Sequence, residues 1–316
     1  PPRSTLFPYT TLFRSYGLKE VSKVYHTSKK VDFDDDSRFV IMSDIHRGDG
    51  SWADDFHRNR NLFFFALLYY YEREFTYIEN GDGDELWKFR SLKDITRIHS
   101  DVFWLMSKYY EDGRLYFIYG NHDMVKNKRD YVTKNMYYYC RERDKKTIEL
   151  FKNIELHEGL ILKHRDKNHE IFLTHGHQVD IMSSSLWKLS RFLVRYLWRP
   201  IDNLGFNDPT STAKNYTKKE RVEISLIKWV EENKCMLITG HTHRPMLPEV
   251  GQLPYINDGS CVHPRCITAI EILKSEIMLV KWFVKSRLDG TLYIGRELLA
   301  GPKKIEDYYK VFEGSF

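Results

Sequence analysis

The sequence has few cysteines and no strong excess of charge of either sign. Its 316 residues include four cysteines at positions 140, 235, 261 and 266, and no two of them form a CxxC pair. This spacing argues against a zinc ribbon and favours reduced thiols in a cytoplasmic protein. The formal net charge of +5 is small for a chain of this length, so it permits an anionic partner without requiring one.

Membrane spans and targeting signals are also missing from the sequence. The longest mainly apolar run, Leu62 to Tyr71, is shorter than the roughly 20 residues that cross a bilayer, so we expect a buried helix there. No signal peptide is recognisable. Residues 1–15, PPRSTLFPYTTLFRS, repeat TLF without periodicity and predict a non-native or disordered extension, with a natural extension as the alternative. Residues 16–316 contain no repeat or clear linker, which indicates one domain.

Five short apolar runs predict buried strands, and a polar residue follows each of them. They cover residues 38–43, 75–79, 115–119, 171–174 and 236–238. Helical patterns at about 53–73 and 91–112 separate the first three, which indicates βαβ units and a sheet buried on both faces. A hairpin is predicted within 155–175. Because ligands of open α/β sheets collect beyond the carboxyl ends of the strands, the residues that follow the runs are candidate ligands.

These candidate ligands offer carboxylate, amide and imidazole donors and no thiolate. They lie in short motifs: Asp44 and His46 in SDIH, Asp82 in NGD, Asn121 in GNHD, His175 in THGH, and His241 and His243 in GHTH. Residues i and i+2 of an extended segment point to the same side, so both members of a DxH or HxH pair can face one site. This mixture of donors suits Mn²⁺, Fe or Zn²⁺ better than Ca²⁺.

In this order and spacing, the motifs resemble those of the calcineurin-like metallophosphoesterases over residues 38–272. The resemblance implies an α/β fold, a four-layer α/β/β/α sandwich with two divalent metal ions at the strand ends, Mn²⁺ being favoured. It assigns Asp44, His46 and His243 to one ion, Asn121, His175 and His241 to the other, and Asp82 to both. A hydroxide that bridges the two ions would then attack phosphorus in line.

Two further residues are candidates for catalysis. By the same resemblance, His122 in GNHD supplies a proton or a hydrogen bond to the leaving oxygen. Glu85 lies three residues after Asp82, an offset at which related protein phosphatases place a carboxylate that orients the catalytic histidine. The alternative for Glu85 is a solvated carboxylate at a helix start.

Among the branches of this family, the motifs are most similar to those of the UDP-2,3-diacylglucosamine hydrolases, which split a pyrophosphate in a lipid precursor. The motif GHTHRP and a helical insertion (lid) at about 179–233 fit this branch. The sequence departs from it at His122, where the better-known form has Arg, and at His175-Gly176-His177, where HGD is usual. Asp180 restores a carboxylate slightly later. We therefore expect a phosphoester or pyrophosphate hydrolase that acts on a lipid-linked or other phosphorylated substrate.

The insertion contains a basic amphipathic segment, LWKLSRFLVRYLWR, at residues 186–199. Its basic residues recur at helical spacing: Lys188, Arg191, Arg195 and Arg199. Such a helix with tryptophans can contact an anionic membrane surface or accept an acyl chain, which makes Arg191 and Arg195 candidate substrate ligands. The alternative is a lid whose apolar face packs on the domain. Arg244, directly after GHTH, offers a cation to phosphate or packs facing solvent.

Three other functions stay open on the sequence. They are a generic phosphomonoesterase or phosphodiesterase acting on nucleotides or phosphoproteins, a scaffold that has lost catalysis, and a nucleic-acid-binding module. A scaffold should have lost ligands, whereas all seven are present. The mild charge and the missing binding motifs argue against nucleic acid. We expect a cytoplasmic enzyme, with a peripheral contact to the inner face of the membrane through residues 186–199.

Overall fold

Two β-sheets form the centre of the protein in the computed structural model. The structure describes the backbone of residues 8–141, 143–198 and 215–314. It describes the side chains of residues 16–141, 143–197 and 215–314. The strands are β1 (Lys29–Phe33), β2 (Arg38–Met42), β3 (Thr76–Asn80), β4 (Leu115–Ile118), β5 (Tyr138–Arg141), β6 (Lys146–Glu149), β7 (Leu156–His157), β8 (Gly159–His164), β9 (Glu170–Thr174), β10 (Met236–Thr239), β11 (Tyr255–Asn257), β12 (Cys266–Leu273), β13 (Glu276–Ser286) and β14 (Leu292–Lys304).

The helices lie between the strands and at both ends of the described chain. The α-helices are α1 (Pro8–Thr27), α2 (Arg60–Tyr71), α3 (Leu92–Ile98), α4 (Ser100–Glu111), α5 (Arg129–Met136), α6 (Trp187–Leu193), α7 (Tyr216–Asn233) and α8 (Ile305–Glu313). A π-helical turn, Val194–Trp198, continues α6. Short 3-10 helices cover His57–Asn59, Met124–Asn127 and His177–Val179.

The larger sheet has the strand order β14-β13-β12-β2-β3-β4-β7, and the smaller one has the order β1-β8-β9-β10-β11. In the larger sheet β2, β3, β4 and β7 are parallel, whereas β12, β13 and β14 extend it in antiparallel fashion. In the smaller sheet β9, β10 and β11 are parallel, and β8 pairs antiparallel with β9. The carboxyl ends of β2, β3 and β4 therefore share one edge of the larger sheet, and those of β9 and β10 share one edge of the smaller.

The two sheets pack face to face, and helices cover both outer faces. After Arg38, the residues of strand β2 are all apolar, and they alternate between two cores. Ile41 faces the core between the sheets, together with Leu173 of β9 and Ile238 of β10. Val40 faces the core under α2 and α4. Helices α1 and α7 pack on the outer face of the smaller sheet. The predicted four-layer α/β/β/α sandwich is confirmed.

The predicted strands and the hairpin are present, but the predicted helix at 91–112 is divided. It ends at Ile98 and begins again at Ser100, with His99 between the two parts. The side chain of His99 is fully buried, and its Nε2 lies 3.1 Å from the carbonyl oxygen of Gly48 and 3.2 Å from Oδ2 of Asp54. These partners of His99 are about 50 residues away in the sequence. The local apolar pattern therefore gave no sign of the break in the helix.

The predicted extension and insertion both include residues outside the described part of the chain. Helix α1 begins at Pro8, inside the predicted extension, and the origin of residues 1–15 stays a prediction. Residues 199–214 of the predicted insertion lie outside the part of the chain that the structure describes. The helix that follows, α7, buries Val222, Leu226 and Trp229 against the smaller sheet. It is therefore part of the outer helical layer of the sandwich, although the sequence placed it in the insertion.

The structure also bears on the predicted state of the cysteines and on the search for membrane-spanning helices. The four cysteines are free thiols, and Cys235 and Cys261 are buried in the cores as small apolar side chains. Over the described ranges, none of the helices combines the length and the apolar character that a membrane crossing requires.

Candidate metal centre

The carboxyl ends of five strands meet at one edge of the sandwich and bring the predicted ligands together. The ligands after β2, β3 and β4 come from the larger sheet, and the ligands after β9 and β10 come from the smaller sheet. Among the predicted metal ligands, two groups have their donor atoms within 4.8 Å of one another: Asp44, His46 and His243, and Asp82, His175 and His241. GHTH thus contributes one histidine to each group. Both groups fit a divalent ion with mixed oxygen and nitrogen donors.

The two groups adjoin each other. In the first, His243 Nε2 lies 2.8 Å from Asp44 Oδ1, and His46 Nε2 lies 3.6 Å from the same oxygen. In the second, His175 Nε2 lies 3.0 Å from Asp82 Oδ2, which is also 4.0 Å from His46 Nε2. The Asp82 carboxylate therefore lies between the two groups.

Four donor atoms of the predicted ligands are buried without a well-formed hydrogen bond: Asp44 Oδ1, Asn121 Oδ1, His175 Nε2 and His241 Nε2. Asp44 Oδ1 and His175 Nε2 instead face atoms of other predicted ligands, His243 Nε2 at 2.8 Å and Asp82 Oδ2 at 3.0 Å. A buried polar atom that lacks a hydrogen bond costs about 1–3 kcal/mol, so this arrangement is unfavourable for the protein alone. A bound cation would satisfy these donors. The residues present therefore fit a metal centre.

The charges in the site also favour a cation. Burial disfavours a charged imidazole, but the Asp82 and Asp44 carboxylates raise the pKa of His175 to about 9. Burial likewise opposes ionisation of Asp82, yet the neighbouring imidazoles hold its pKa below the usual value. A metal ion takes the place of such protons when it binds, because its ligands must be deprotonated.

Five of the seven predicted ligands have left-handed backbone rather than the extended backbone of a strand end. The φ angles are 50° at Asp44, 51° at His46, 51° at Asp82, 66° at His241 and 54° at His243. Residues other than glycine seldom adopt this region, and such strain persists where the surrounding structure requires it, often at functional sites. The expectation that the i, i+2 pairs lie on extended backbone is therefore wrong, because the chain turns sharply as each strand ends.

Glu85 joins His46 to His122. Its Oε2 lies 3.0 Å from Nδ1 of His46, and its Oε1 lies 2.8 Å from Nδ1 of His122. Only 2% of Glu85 is exposed, so the alternative of a solvated carboxylate is wrong. Burial favours the neutral acid, but the His122 and His46 imidazoles hold the pKa of Glu85 well below its usual range. Trp87 stacks on the other side of His122, with ring centroids 4.3 Å apart.

A buried network of charges that the sequence did not reveal lies behind the site. Arg47 is fully buried, donates two hydrogen bonds to Glu79 at 2.8 and 2.7 Å, and donates a third from Nε to Asp84 at 2.8 Å. Lys126 Nζ lies 2.6 Å from Asp84 and 2.7 Å from Asp123. The network connects the loops after β2, β3 and β4. Its only signal in the sequence is that these charged residues lie within or close to the motifs.

Asp258 is another buried residue near the site that the sequence did not indicate. It follows β11, is fully buried, and its Oδ1 lies 2.6 Å from Ser43 Oγ, which also contacts Asp44. Burial raises the pKa of Asp258 well above its usual value. The Ser43 hydroxyl has a single proton, so it can donate to the Asp258 or the Asp44 carboxylate but not to both at once. The signal was available, because Asp258 directly follows another short strand.

The three candidate substrate arginines contact other parts of the chain. Arg195 donates from Nε to the carbonyl oxygen of Trp87 at 2.9 Å and from Nη2 to that of Leu86 at 2.6 Å. Arg191 lies over the ring of Trp187, with its Cζ 4.8 Å from the ring centroid. Arg244 donates to Glu223 Oε2 at 3.0 Å. Arg195 thus attaches the insertion to the turn that carries Trp87 and, through it, to His122.

Comparison with known proteins assigns this architecture to a family. The sequence profile of the calcineurin-like phosphoesterases matches residues 37–245, which is more than half of the chain. Among solved structures, Vps29 of Chaetomium thermophilum matches with a TM-score of 0.35 and 9% sequence identity, over 84% of this chain and 96% of that one. A search of curated proteins finds no match. The chain belongs to the calcineurin-like phosphoesterase family.

Proposed function

We propose that the protein hydrolyses phosphoester or phosphoanhydride bonds with two divalent ions bound at the strand ends, Mn²⁺ ahead of Fe or Zn²⁺. The observation that carries this proposal is the convergence of donors from both sheets on two adjoining groups, with Asp82 between them. Asp44, His46 and His243 would hold one ion, Asn121, His175 and His241 would hold the other, and Asp82 would contribute to both.

When bound, such ions would supply an activated water and a positive charge that offsets the charge on the phosphoryl oxygens. In this chain His122 acts on the leaving group. Its Nδ1 faces Glu85 at 2.8 Å, which leaves Nε2 as the nitrogen that can donate to the leaving oxygen. The Glu85 carboxylate stabilises the charged imidazolium, and the Trp87 ring holds its plane. His122 is then a general acid whose orientation is set before substrate binds.

The first experiment is the replacement Asp82→Asn. We expect Mn²⁺-dependent hydrolysis of bis-p-nitrophenyl phosphate to be lost, because both metal sites lose the carboxylate that they share, while circular dichroism still reports a folded chain. Asp166→Asn, at an exposed turn, is the matched control and should keep full activity. Mn²⁺-stimulated turnover that survives in Asp82→Asn would overturn the dinuclear proposal.

We propose a lipid-linked phosphate as the substrate class, in keeping with the resemblance to UDP-2,3-diacylglucosamine hydrolases. Five large apolar side chains of the insertion are between 44% and 57% exposed: Leu186, Leu189, Phe192, Tyr196 and Leu197. This exposure supports contact with lipid over a lid that packs on the domain. The link from Arg195 through Trp87 to His122 keeps this apolar face near the chemistry. The protein would then act at the cytoplasmic face of an anionic membrane.

Vesicle co-sedimentation tests this substrate class. We expect the double replacement of Leu189 and Phe192 by Ser to reduce binding to anionic phospholipid vesicles several-fold, while hydrolysis of bis-p-nitrophenyl phosphate is unchanged. The matched control is the replacement of Leu288 and Leu292 by Ser, which removes two exposed apolar side chains elsewhere. Equal binding by all three proteins, or no binding by the original chain, would contradict the lipid proposal.

The alternative is a phosphomonoesterase or phosphodiesterase that acts on nucleotides or phosphoproteins. It predicts turnover of small soluble esters and little effect of trimming residues 186–199. A panel that contains UDP-diacylglucosamine, nucleotides and bis-p-nitrophenyl phosphate, each with Mn²⁺, separates the two substrate classes by their kcat/KM values.

A further inference from the structure

The 85–89 turn supplies both of the side chains that contact the imidazole of His122. Glu85 Oε1 faces His122 Nδ1 at 2.8 Å, and the Trp87 ring stacks on the imidazole. The same Glu85 oxygen accepts a hydrogen bond from the backbone N–H of Lys88 at 3.1 Å, which closes the turn. The orientation of His122 therefore depends on the geometry of this one turn.

The insertion contacts this turn through the side chain of Arg195. Its guanidinium donates from Nε to the carbonyl oxygen of Trp87 at 2.9 Å. Its Nη2 donates to the carbonyl oxygens of Leu86 and Phe89 at 2.6 and 3.4 Å. Arg195 belongs to the π-helical segment Val194–Trp198, and such segments occur frequently at functional sites. Three carbonyls of one turn thus share one planar side chain.

The surroundings of Arg195 differ from those of an arginine in a structural ion pair. In the described part of the chain, its hydrogen bonds go to main-chain carbonyls rather than to a carboxylate. Burial and the neighbouring cations Arg191 and Arg90 lower the pKa of Arg195, so its positive charge is unfavourable at this position. The contacts use the planar fork of N–H donors, which lysine cannot supply.

We propose that Arg195 is a positioning residue for the reaction, which fixes the carbonyls of the 85–89 turn and thereby holds Glu85 and Trp87 against His122. The insertion then contributes to the chemical step, for soluble and lipid-linked substrates alike. This inference rests on the proposed role of His122 as the general acid. It differs from a substrate contact, for which the charge of Arg195 matters more than the shape of its side chain.

Arg195→Lys keeps the positive charge and removes the fork of donors. We expect kcat for diphenyl phosphate to fall about 10- to 100-fold with unchanged KM, because the acid is displaced while the substrate still binds. Mn²⁺ content and circular dichroism should stay unchanged. The matched control is Arg38→Lys, since Arg38 donates to the carbonyl oxygen of Arg73 at 2.8 Å elsewhere in the fold. This control should keep kcat and KM.

Arg195→Gln separates positioning from a contact with the substrate. A charge contact predicts that Arg195→Lys keeps its activity and that Arg195→Gln has a raised KM, and this pair of results would overturn the proposal. Positioning predicts that both variants lose kcat, because neither side chain can donate to all three carbonyls.

A double-mutant cycle examines whether Arg195 acts through His122. In the His122→Ala background, Arg195→Lys should cause no further loss of kcat, because the turn no longer has an acid to orient. The effect of Arg195→Lys alone should be larger for diphenyl phosphate than for bis-p-nitrophenyl phosphate, since phenolate is the poorer leaving group and depends more on a proton donor. Losses that multiply in the double variant would show that Arg195 acts independently of His122.

Proton NMR of the chain loaded with diamagnetic Zn²⁺ adds a measurement that does not depend on turnover. The Nδ1 proton of His122 faces Glu85 and should give a downfield signal, which is identified by its absence in His122→Ala. We expect this signal to be lost or shifted in Arg195→Lys and to be retained in Arg38→Lys. The same signal in all three proteins would contradict the positioning role.

The outcome for His122 separates this inference from the proposed function. If His122→Ala lowers kcat and Arg195→Lys does not, the role of Arg195 is overturned and the proposed acid stands. If His122→Ala leaves kcat unchanged, the proposed acid fails, and the inference fails with it.

Discussion

At the scale of single residues, one carboxylate controls two histidines with different proposed roles. Glu85 contacts the metal-facing His46 and the acid His122 through its two oxygens, and burial keeps both contacts away from water. A carboxylate behind a metal-bound imidazole increases its basicity, and the same group stabilises an imidazolium. Replacing His122 should therefore affect catalysis alone, whereas replacing Glu85 should affect catalysis and metal binding.

We expect His122→Ala to lower kcat by about 10²- to 10⁴-fold with unchanged Mn²⁺ content, because only the proton donor is removed. Glu85→Gln should lower kcat and also weaken Mn²⁺ binding about 10- to 100-fold, because His46 loses its charged partner. Steady-state kinetics and metal analysis of the same samples measure both effects. Parallel loss of activity and Mn²⁺ in His122→Ala would instead make this histidine a ligand.

At the scale of elements, the turns after the strands decide where the ligands lie. These turns approach one another so closely that only glycine fits at some positions. A Cβ on Gly120, which follows β4, would lie 2.2 Å from Asp82 Oδ1, and a Cβ on Gly240, which follows β10, would lie 2.0 Å from Ser43 Oγ. The glycines of GNHD and GHTH are thus needed for close approach between loops of different strands.

Gly120→Ala should therefore displace the Asp82 carboxylate. We expect it to destabilise the fold by about 1–3 kcal/mol and to abolish tight binding of Mn²⁺. The matched control is Gly113→Ala, where no atom lies within 4 Å of the added Cβ and φ is +70°. That change should cost only about 1 kcal/mol of backbone strain and leave metal binding intact. Thermal unfolding and calorimetric titration measure the two effects, and equal metal affinity in both variants would refute this account.

At the scale of the whole molecule, buried charges hold the loops of the larger sheet in one arrangement. Arg47 and Lys126 neutralise carboxylates of strand β3, of the loop after it and of the loop after β4, all of them removed from solvent. Breaking a buried network leaves a charge without a partner, which is far more costly than breaking an exposed pair.

Lys126→Met should accordingly leave Asp123 buried without its cation and Asp84 with Arg47 alone. We expect a loss of about 3–5 kcal/mol in the free energy of unfolding, measured by urea denaturation in the presence of a chelator. Lys108→Met removes a cation from the exposed pair with Glu111 and should change stability by less than about 1 kcal/mol. Similar losses in the two variants would show that the network does not stabilise the fold.

The accuracy of the sequence predictions depended on how local each feature is. Strands such as β2 and β10 were predicted because their apolar runs and the residues after them are contiguous. The break at His99, the burial of Glu85 and the attachment of Arg195 to the Trp87 turn were not predicted. Each of these depends on a partner that is distant in the sequence or on a path of the chain that no periodicity records.

The sequence by itself determined the order of the strands, the polar residue that ends each one, and the family to which these motifs belong. Only the tertiary structure decided that β9 and β10 lie in a second sheet whose ends meet those of β2, β3 and β4. Metal donors must converge to within a few ångströms, and that distance results from face-to-face packing of the sheets and from left-handed turns. Contacts such as Ser43 with Asp258, 215 residues apart, exist only once that packing has formed.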